Sequence, residues 1–160
     1  MDRAMSQKRL AQVFDEVARE VTERASGIRL LESGTKLAGE LCTVYTSFQR
    51  GYRTGVSLCA ERSLFTRLTQ RMMQTEEVSP QEVEEFSREY FNALCGRIVS
   101  QMYPETKIPA RFDRPSFHEG RYSPRGRQKH FSIRYTSDGA GNAELVHHLQ
   151  DMEAADTLPE

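Results

Sequence analysis

Ser79-Pro80-Gln81-Glu82-Val83-Glu84-Glu85-Phe86-Ser87-Arg88-Glu89-Tyr90-Phe91-Asn92-Ala93-Leu94-Cys95-Gly96-Arg97-Ile98-Val99-Ser100-Gln101-Met102 is the stretch on which the fold turns. It opens with a helix-start signal: Ser79 is placed to act as N-cap, Pro80 suits the first helical position, and Glu82 completes a capping box. Val83, Phe86, Tyr90, Leu94, Ile98 and Met102 recur at helical steps and predict a buried stripe, which Phe91 and Cys95 widen. Pro104 is expected to stop the helix near Met102, because the residue before a proline is pushed out of the helical region. Glu85, Glu89, Asn92 and Gly96 advance by four, three and four residues and therefore share another face. An acid and an amide one turn apart can act jointly on one partner. Gly96 costs roughly 1 kcal/mol against alanine in a helix interior, and it leaves room for close approach beside Asn92. From periodicity alone, a solvated face with the glycine accommodating a neighbouring strand is the better reading.

Around this helix the rest of the chain reads as α+β. Leu10, Val13, Phe14, Val17, Ala18 and Val21 mark a first amphipathic helix, ending near Ser26-Gly27 where glycine can take the left-handed cap conformation. Strands are expected over 28–32, 38–48 and 52–60, the second rich in β-branched and aromatic residues. Gln49-Arg50-Gly51 suits a hairpin connection, and Gly55 marks a bulge or a close backbone approach. Ser63 is placed to cap a short helix that turns Leu64, Phe65, Leu68 and Met72 inward. After the long helix come strands over 110–122, 129–135 and 143–149, the last two joined by a turn at Ser137-Asp138-Gly139-Ala140-Gly141-Asn142. The expected architecture is a mainly antiparallel sheet of about six strands with helices packed on one face. One domain spans 1–150, and 151–160 is an acidic tail expected to be disordered.

Composition narrows the function classes. A chain of 160 residues with 38% apolar and 28% charged residues suits a globular domain. Lys+Arg is 22 against 23 for Asp+Glu, so a general nucleic-acid binder, which needs a basic excess, is not expected. No apolar run approaches the roughly 20 residues of a membrane span, and no signal-peptide segment follows the first nine residues. Cys42, Cys59 and Cys95 form neither a disulfide framework nor a zinc spacing, and each sits among apolar neighbours. Small core residues in a reducing cytoplasm are the expectation.

Other motifs carry less. His147-His148 would point to opposite faces of a strand, a poor arrangement for one metal, and His118 and His130 are isolated in sequence. Surface or partly buried histidines are expected for all four. Gly139-Ala140-Gly141 precedes a strand rather than opening a helix, so it reads as a turn and not as a phosphate loop. Arg111, Arg114, Arg121, Arg125, Arg127 and Lys129 make the late region locally basic. They suit a solvated strand edge better than a site for RNA or for the acidic face of a partner.

Glu89-Tyr90-Phe91-Asn92-Ala93-Leu94-Cys95-Gly96 resembles the ExxNxxxG signature of the CheC/CheX family of chemotaxis phosphatases. Gly51-Tyr52-Arg53-Thr54-Gly55-Val56-Ser57-Leu58 is similar to the family's glycine-bearing strand pair, and the helix with Leu68, Met72 and Met73 follows in the expected place. Pro115 lies close to the family's downstream proline, and Glu119-Gly120 continues its following strand. With one ExxN site rather than two, the chain looks like the single-site CheX branch. The resemblance implies a phosphatase acting on the phospho-aspartate of a CheY-like receiver domain in two-component signalling. Glu89 and Asn92 would be catalytic, while Glu85, Gly96 and Pro115 would contact the partner. It implies no cofactor or metal in this chain, Mg2+ on the receiver, and a homodimer formed through the sheet. A non-catalytic module docking a receiver with the same helix face is the alternative.

The sequence departs from the family pattern at three places. Glu85 stands where Ser or Asp is usual, the Asn92-to-Pro115 spacing is longer by about a residue, and bulky Tyr90 and Phe91 separate the motif residues. These two rings are expected to tighten access to Asn92.

Overall fold

The computed structural model describes residues 5–49, 54–125 and 127–150. The hairpin connection proposed at residues 49–51 and the tail 151–160 fall largely or wholly outside them. The element order is α1 (Gln7–Ser26), β1 (Leu30–Glu32), β2 (Leu41–Gln49), β3 (Thr54–Glu61), α2 (Arg62–Met73), α3 (Pro80–Thr106), β4 (Arg111–Phe112), β5 (Ser116–Glu119), β6 (Arg127–Ser137) and β7 (Asn142–Gln150). Among the described residues the strands form one seven-stranded sheet in the order β1-β6-β7-β3-β2-β4, with β5 also paired to β2. Every pairing is antiparallel.

The helices cover one face of this sheet. Phe14 of α1 meets Phe131 and His147 edge-on, and Phe65 of α2 meets Phe117. Val44, Val56, Leu58, Tyr135 and Leu145 complete a core with Leu94 and Ile98 of α3, all nearly or wholly buried. The opposite face is crossed by the connection from β5 to β6. There Tyr122 stacks on His118 with ring centroids 3.7 Å apart and leans on Tyr45, while Arg121 reaches the buried Glu144 carboxylate at 3.4 Å.

Both helix ends that the sequence marked most clearly are as expected. Gly27 caps α1 in the left-handed conformation with φ 75°, and Ser79 with Glu82 closes a reciprocal capping box on α3. Other expectations are corrected. Helix α3 runs through Pro104 to Thr106 instead of stopping at Met102. Proline removes a single backbone bond, the one the exposed Ser100 carbonyl would accept. The buried Thr106 hydroxyl donates to the Met102 carbonyl, and Lys107 N–H caps Tyr103, so the last turn holds. Ser63 is not the cap of α2: Glu61 occupies that position, and the Ser63 hydroxyl donates to the Ala140 carbonyl at 2.9 Å. The strand expected over 110–122 is two short strands, β4 and β5, separated by Asp113-Arg114-Pro115. Gly55 marks no bulge, since β2 and β3 stay in register through Ser47↔Gly55. A side chain there would come within 2.6 Å of the Tyr45 hydroxyl, so it is a close-approach position.

Two histidines expected at or near the surface are buried. His147 and His148 are 4% and 6% exposed, on opposite faces of β7. His148 Nε2 hydrogen-bonds the Ser57 hydroxyl at 2.9 Å. On the helix side His147 Nδ1 meets His130 Nδ1 at 3.0 Å, because a register shift between Lys129 and Phe131 sets His130 beside it. Burial, with the neighbouring His130 and His148 adding to it, pushes the His147 imidazole down to about 3. In the unfolded chain it titrates near about 6.5, so between these values the unfolded state binds the extra proton. Stability therefore falls as pH drops below about 6.5 and declines until about 3. A urea midpoint that decreases from pH 7 to pH 5 is the expected result. His147→Gln, which cannot titrate, should flatten the slope, and an unchanged slope would contradict this assignment.

Candidate functional site

Helix α3 presents its polar stripe because its other side is committed to the core. Tyr90, Phe91, Leu94, Cys95 and Ile98 are all at or below 2% exposure. The Tyr90 hydroxyl is hydrogen-bonded to Thr22 of α1 at 2.6 Å. With that side fixed, Glu85, Glu89 and Asn92 are exposed. The Tyr90 and Phe91 rings point into the core, so the expectation that they crowd Asn92 is corrected.

A second wall rises opposite. The link between β4 and β5 is tied to β2: Asp113 N–H donates to the Ser47 carbonyl at 3.0 Å, and the Ser47 hydroxyl donates to the Asp113 carboxylate at 2.8 Å. Pro115 is buried, and Ser116 directly after it pairs with Tyr45. Between the two walls runs an open groove of about 410 Å³ lined by Glu85, Arg88, Glu89, Asn92, Arg114 and Pro115. The structure thus brings Glu85, Glu89, Asn92 and Pro115 together. Gly96 is not part of the lining; a side chain there would meet the Phe112 ring at 3.9 Å, an ordinary contact.

Arg88 and Arg114 are the lining residues that the sequence reading did not assign to a site. A signal for Arg88 was present, since it lies three residues after Glu85 and four before Asn92, on the same face. It makes an ion pair of 4.0 Å with Glu84. Arg114 was visible only as one member of a basic run. That run disperses in the fold: Arg121 and Lys129 both reach Glu144, whereas Arg114 turns to the groove.

The groove holds two carboxylates, two guanidiniums and one carboxamide. Such a set has the chemistry to recognise a charged group and to hold a water by donating and accepting hydrogen bonds, and it offers no strong nucleophile. Among the described residues no three His, Cys, Asp or Glu side chains are grouped to hold a metal ion. Cys42, Cys59 and Cys95 are buried, unbridged, and raised in pKa chiefly by burial, as inert core thiols are. No helix among the described residues is long and apolar enough to cross a membrane.

No family model matches the sequence, and no curated protein matches it either. Solved structures do match. CheX from Vibrio vulnificus superposes with a TM-score of 0.67 at 14% identity, over 87% of this chain and 97% of that one. CheX from Desulfovibrio desulfuricans gives 0.64 at 13% identity, over 87% and 97%. The CheX-CheY-BeF3-Mg2+ complex from Borrelia burgdorferi gives 0.66 at 12% identity, over 88% and 97%.

The chain has the CheC/CheX fold.

Within that fold the ExxN residues lie on the exposed side of α3, and Gly96, four residues after Asn92, lies outside the groove lining. Because a methyl group at position 96 makes only ordinary contact, Gly96→Ala should stabilise the protein, by about 0.5–1 kcal/mol, through helix propensity. A rise in the urea or thermal midpoint checks this. A fall would mean that the α3–Phe112 contact demands glycine.

Proposed function

We propose that this chain is a CheX-like phosphatase that hydrolyses the aspartyl phosphate of a CheY-like receiver domain. The observation that supports it best is the pairing of exposed Glu89 and Asn92, one turn apart on a helix whose opposite face is locked in the core. Both line a groove wide enough to admit a partner's side chains. The Borrelia burgdorferi complex, in which a CheX of this fold is bound to CheY with BeF3 and Mg2+, supports the choice of partner.

In this reading Glu89 pairs with the receiver's active-site lysine and sets the docking register. The Asn92 carboxamide enters beside the acyl phosphate and orients a water in line with the scissile bond. The water oxygen bonds to phosphorus as the bond to the aspartyl oxygen breaks, leaving the receiver's carboxylate, inorganic phosphate and a proton released to solvent. Mg2+ on the receiver and its lysine carry the developing charge. An amide is no strong base, but positioning is most of what phosphoryl transfer asks of a protein. A hundredfold acceleration requires only about 2.7 kcal/mol, within reach of one fixed water. The reading carries with it cytoplasmic action and a homodimer through the sheet. The short edge strand β1, with Leu31 half exposed, offers surface for the dimer.

Decay of a Mg2+-loaded, phosphorylated CheY-like receiver tests the proposal. Wild-type protein should accelerate loss of the phosphoryl group. Glu89→Ala and Asn92→Ala should each lose that acceleration by about tenfold to a hundredfold, with Asn92→Ala still binding the receiver. Binding without acceleration by the wild type would replace the enzyme with a receiver-docking module.

A further inference from the structure

We propose that Arg114 reads the phosphoryl group itself, contacting its oxygens across the groove from Asn92 and making binding depend on receiver phosphorylation. This rests on the phosphatase reading and adds a residue to it.

The electrostatics of the groove call for such a contact. Glu85 and Glu89 are exposed carboxylates in the lining, and both oppose the approach of a phosphoryl dianion. Of the two arginines in the lining, Arg88 stands on the same helix as Asn92, with its guanidinium 4.0 Å from the Glu84 carboxylate. Arg114 makes no ion pair among the described residues, and it comes from the other wall. A phosphoryl group seated beside Asn92 therefore has Arg114 facing it from the β4–β5 link.

Arg114 is also held for the task. The residue before it is anchored to β2 through the Ser47 carbonyl and hydroxyl and through the Thr46 hydroxyl, which donates to the Asp113 carbonyl. The residue after it, Pro115, is buried and has a fixed φ. The backbone of Arg114 is thus fixed on both sides while its side chain is exposed at the groove, so less ordering is left to be done on binding. A guanidinium remains charged throughout and matches two phosphoryl oxygens with a planar fork, which a lysine at this position would not reproduce. Arg114 takes no proton and forms no covalent bond. Its role is recognition of the charge that phosphorylation adds.

The test compares affinity for a Mg2+-loaded receiver with and without beryllofluoride, in the wild type, Arg114→Ala, Arg114→Lys and the control Arg67→Ala, on α2 in a separate cavity lined also by Gly27 and Asp138. The wild type should favour the beryllofluoride form. Arg114→Ala should cut that preference by about tenfold or more, Arg114→Lys should restore part of it, and Arg67→Ala should leave it intact. A preference unchanged in Arg114→Ala, in a protein that still accelerates dephosphorylation, overturns the role of Arg114 and leaves the phosphatase standing. Equal weakening toward both forms of the receiver would make Arg114 a general docking charge and also overturns the inference. A wild type that binds neither form sinks the phosphatase reading and this one with it.

Discussion

The rotation of α3 about its own axis is the constraint from which the rest follows. Each residue advances about 100° around a helix, so burying Tyr90, Phe91, Leu94, Cys95 and Ile98 leaves Glu85, Glu89 and Asn92 no direction but outward. The rotation is held by packing and by one directional contact, the buried hydrogen bond between the Tyr90 hydroxyl and Thr22. Turning Phe91 out of the core would forfeit about 2–3 kcal/mol, and parting Tyr90 from Thr22 would strand two buried hydroxyls. The capping box at Ser79 fixes where the helix starts, and hence the height of Glu89 and Asn92 along it.

The opposite wall of the groove depends on the sheet. β5 is paired to β2 over four residues, and the Asp113 contacts with Thr46 and Ser47 hold the approach to it. The two walls are thus joined through the core, since β2 packs Val44 and Phe48 beneath the helices. A site built this way asks for little reorganisation when a partner arrives. That suits a function resting on position and charge better than one resting on a reactive side chain.

The parts of this arrangement legible in the sequence were those governed by short-range rules. The Ser79-Pro80-Glu82 signal, the Gly27 cap and the apolar period of α1 and α3 are local chemistry, and the fold agrees with them. The polar stripe was legible for the same reason. What failed depended on burial and on contacts that only the tertiary fold creates. Pro104 was expected to end α3, but Thr106 is buried and bonded to Met102, which carries the helix past it. Ser63 looked like a cap until its hydroxyl was drawn to Ala140, 77 residues away. The meeting of His130 and His147 follows from a register shift that no single-strand pattern encodes. Arg114 was lost for a related reason: a run of arginines looks uniform in sequence, and only the fold sends Arg121 to Glu144 and Arg114 to the groove.

The central claim is that the face formed by α3 and the β4–β5 link is where a receiver domain docks. Backbone and side-chain amide NMR spectra, recorded while a Mg2+- and beryllofluoride-loaded receiver is added, test it most directly. The account predicts perturbations concentrated at residues 85–92 and 114–115, with the Asn92 side-chain amide among the largest and the β5–β6 crossing of the opposite face unmoved. Perturbations centred on Arg121 and Tyr122, with the Asn92 amide unchanged at saturation, would contradict it.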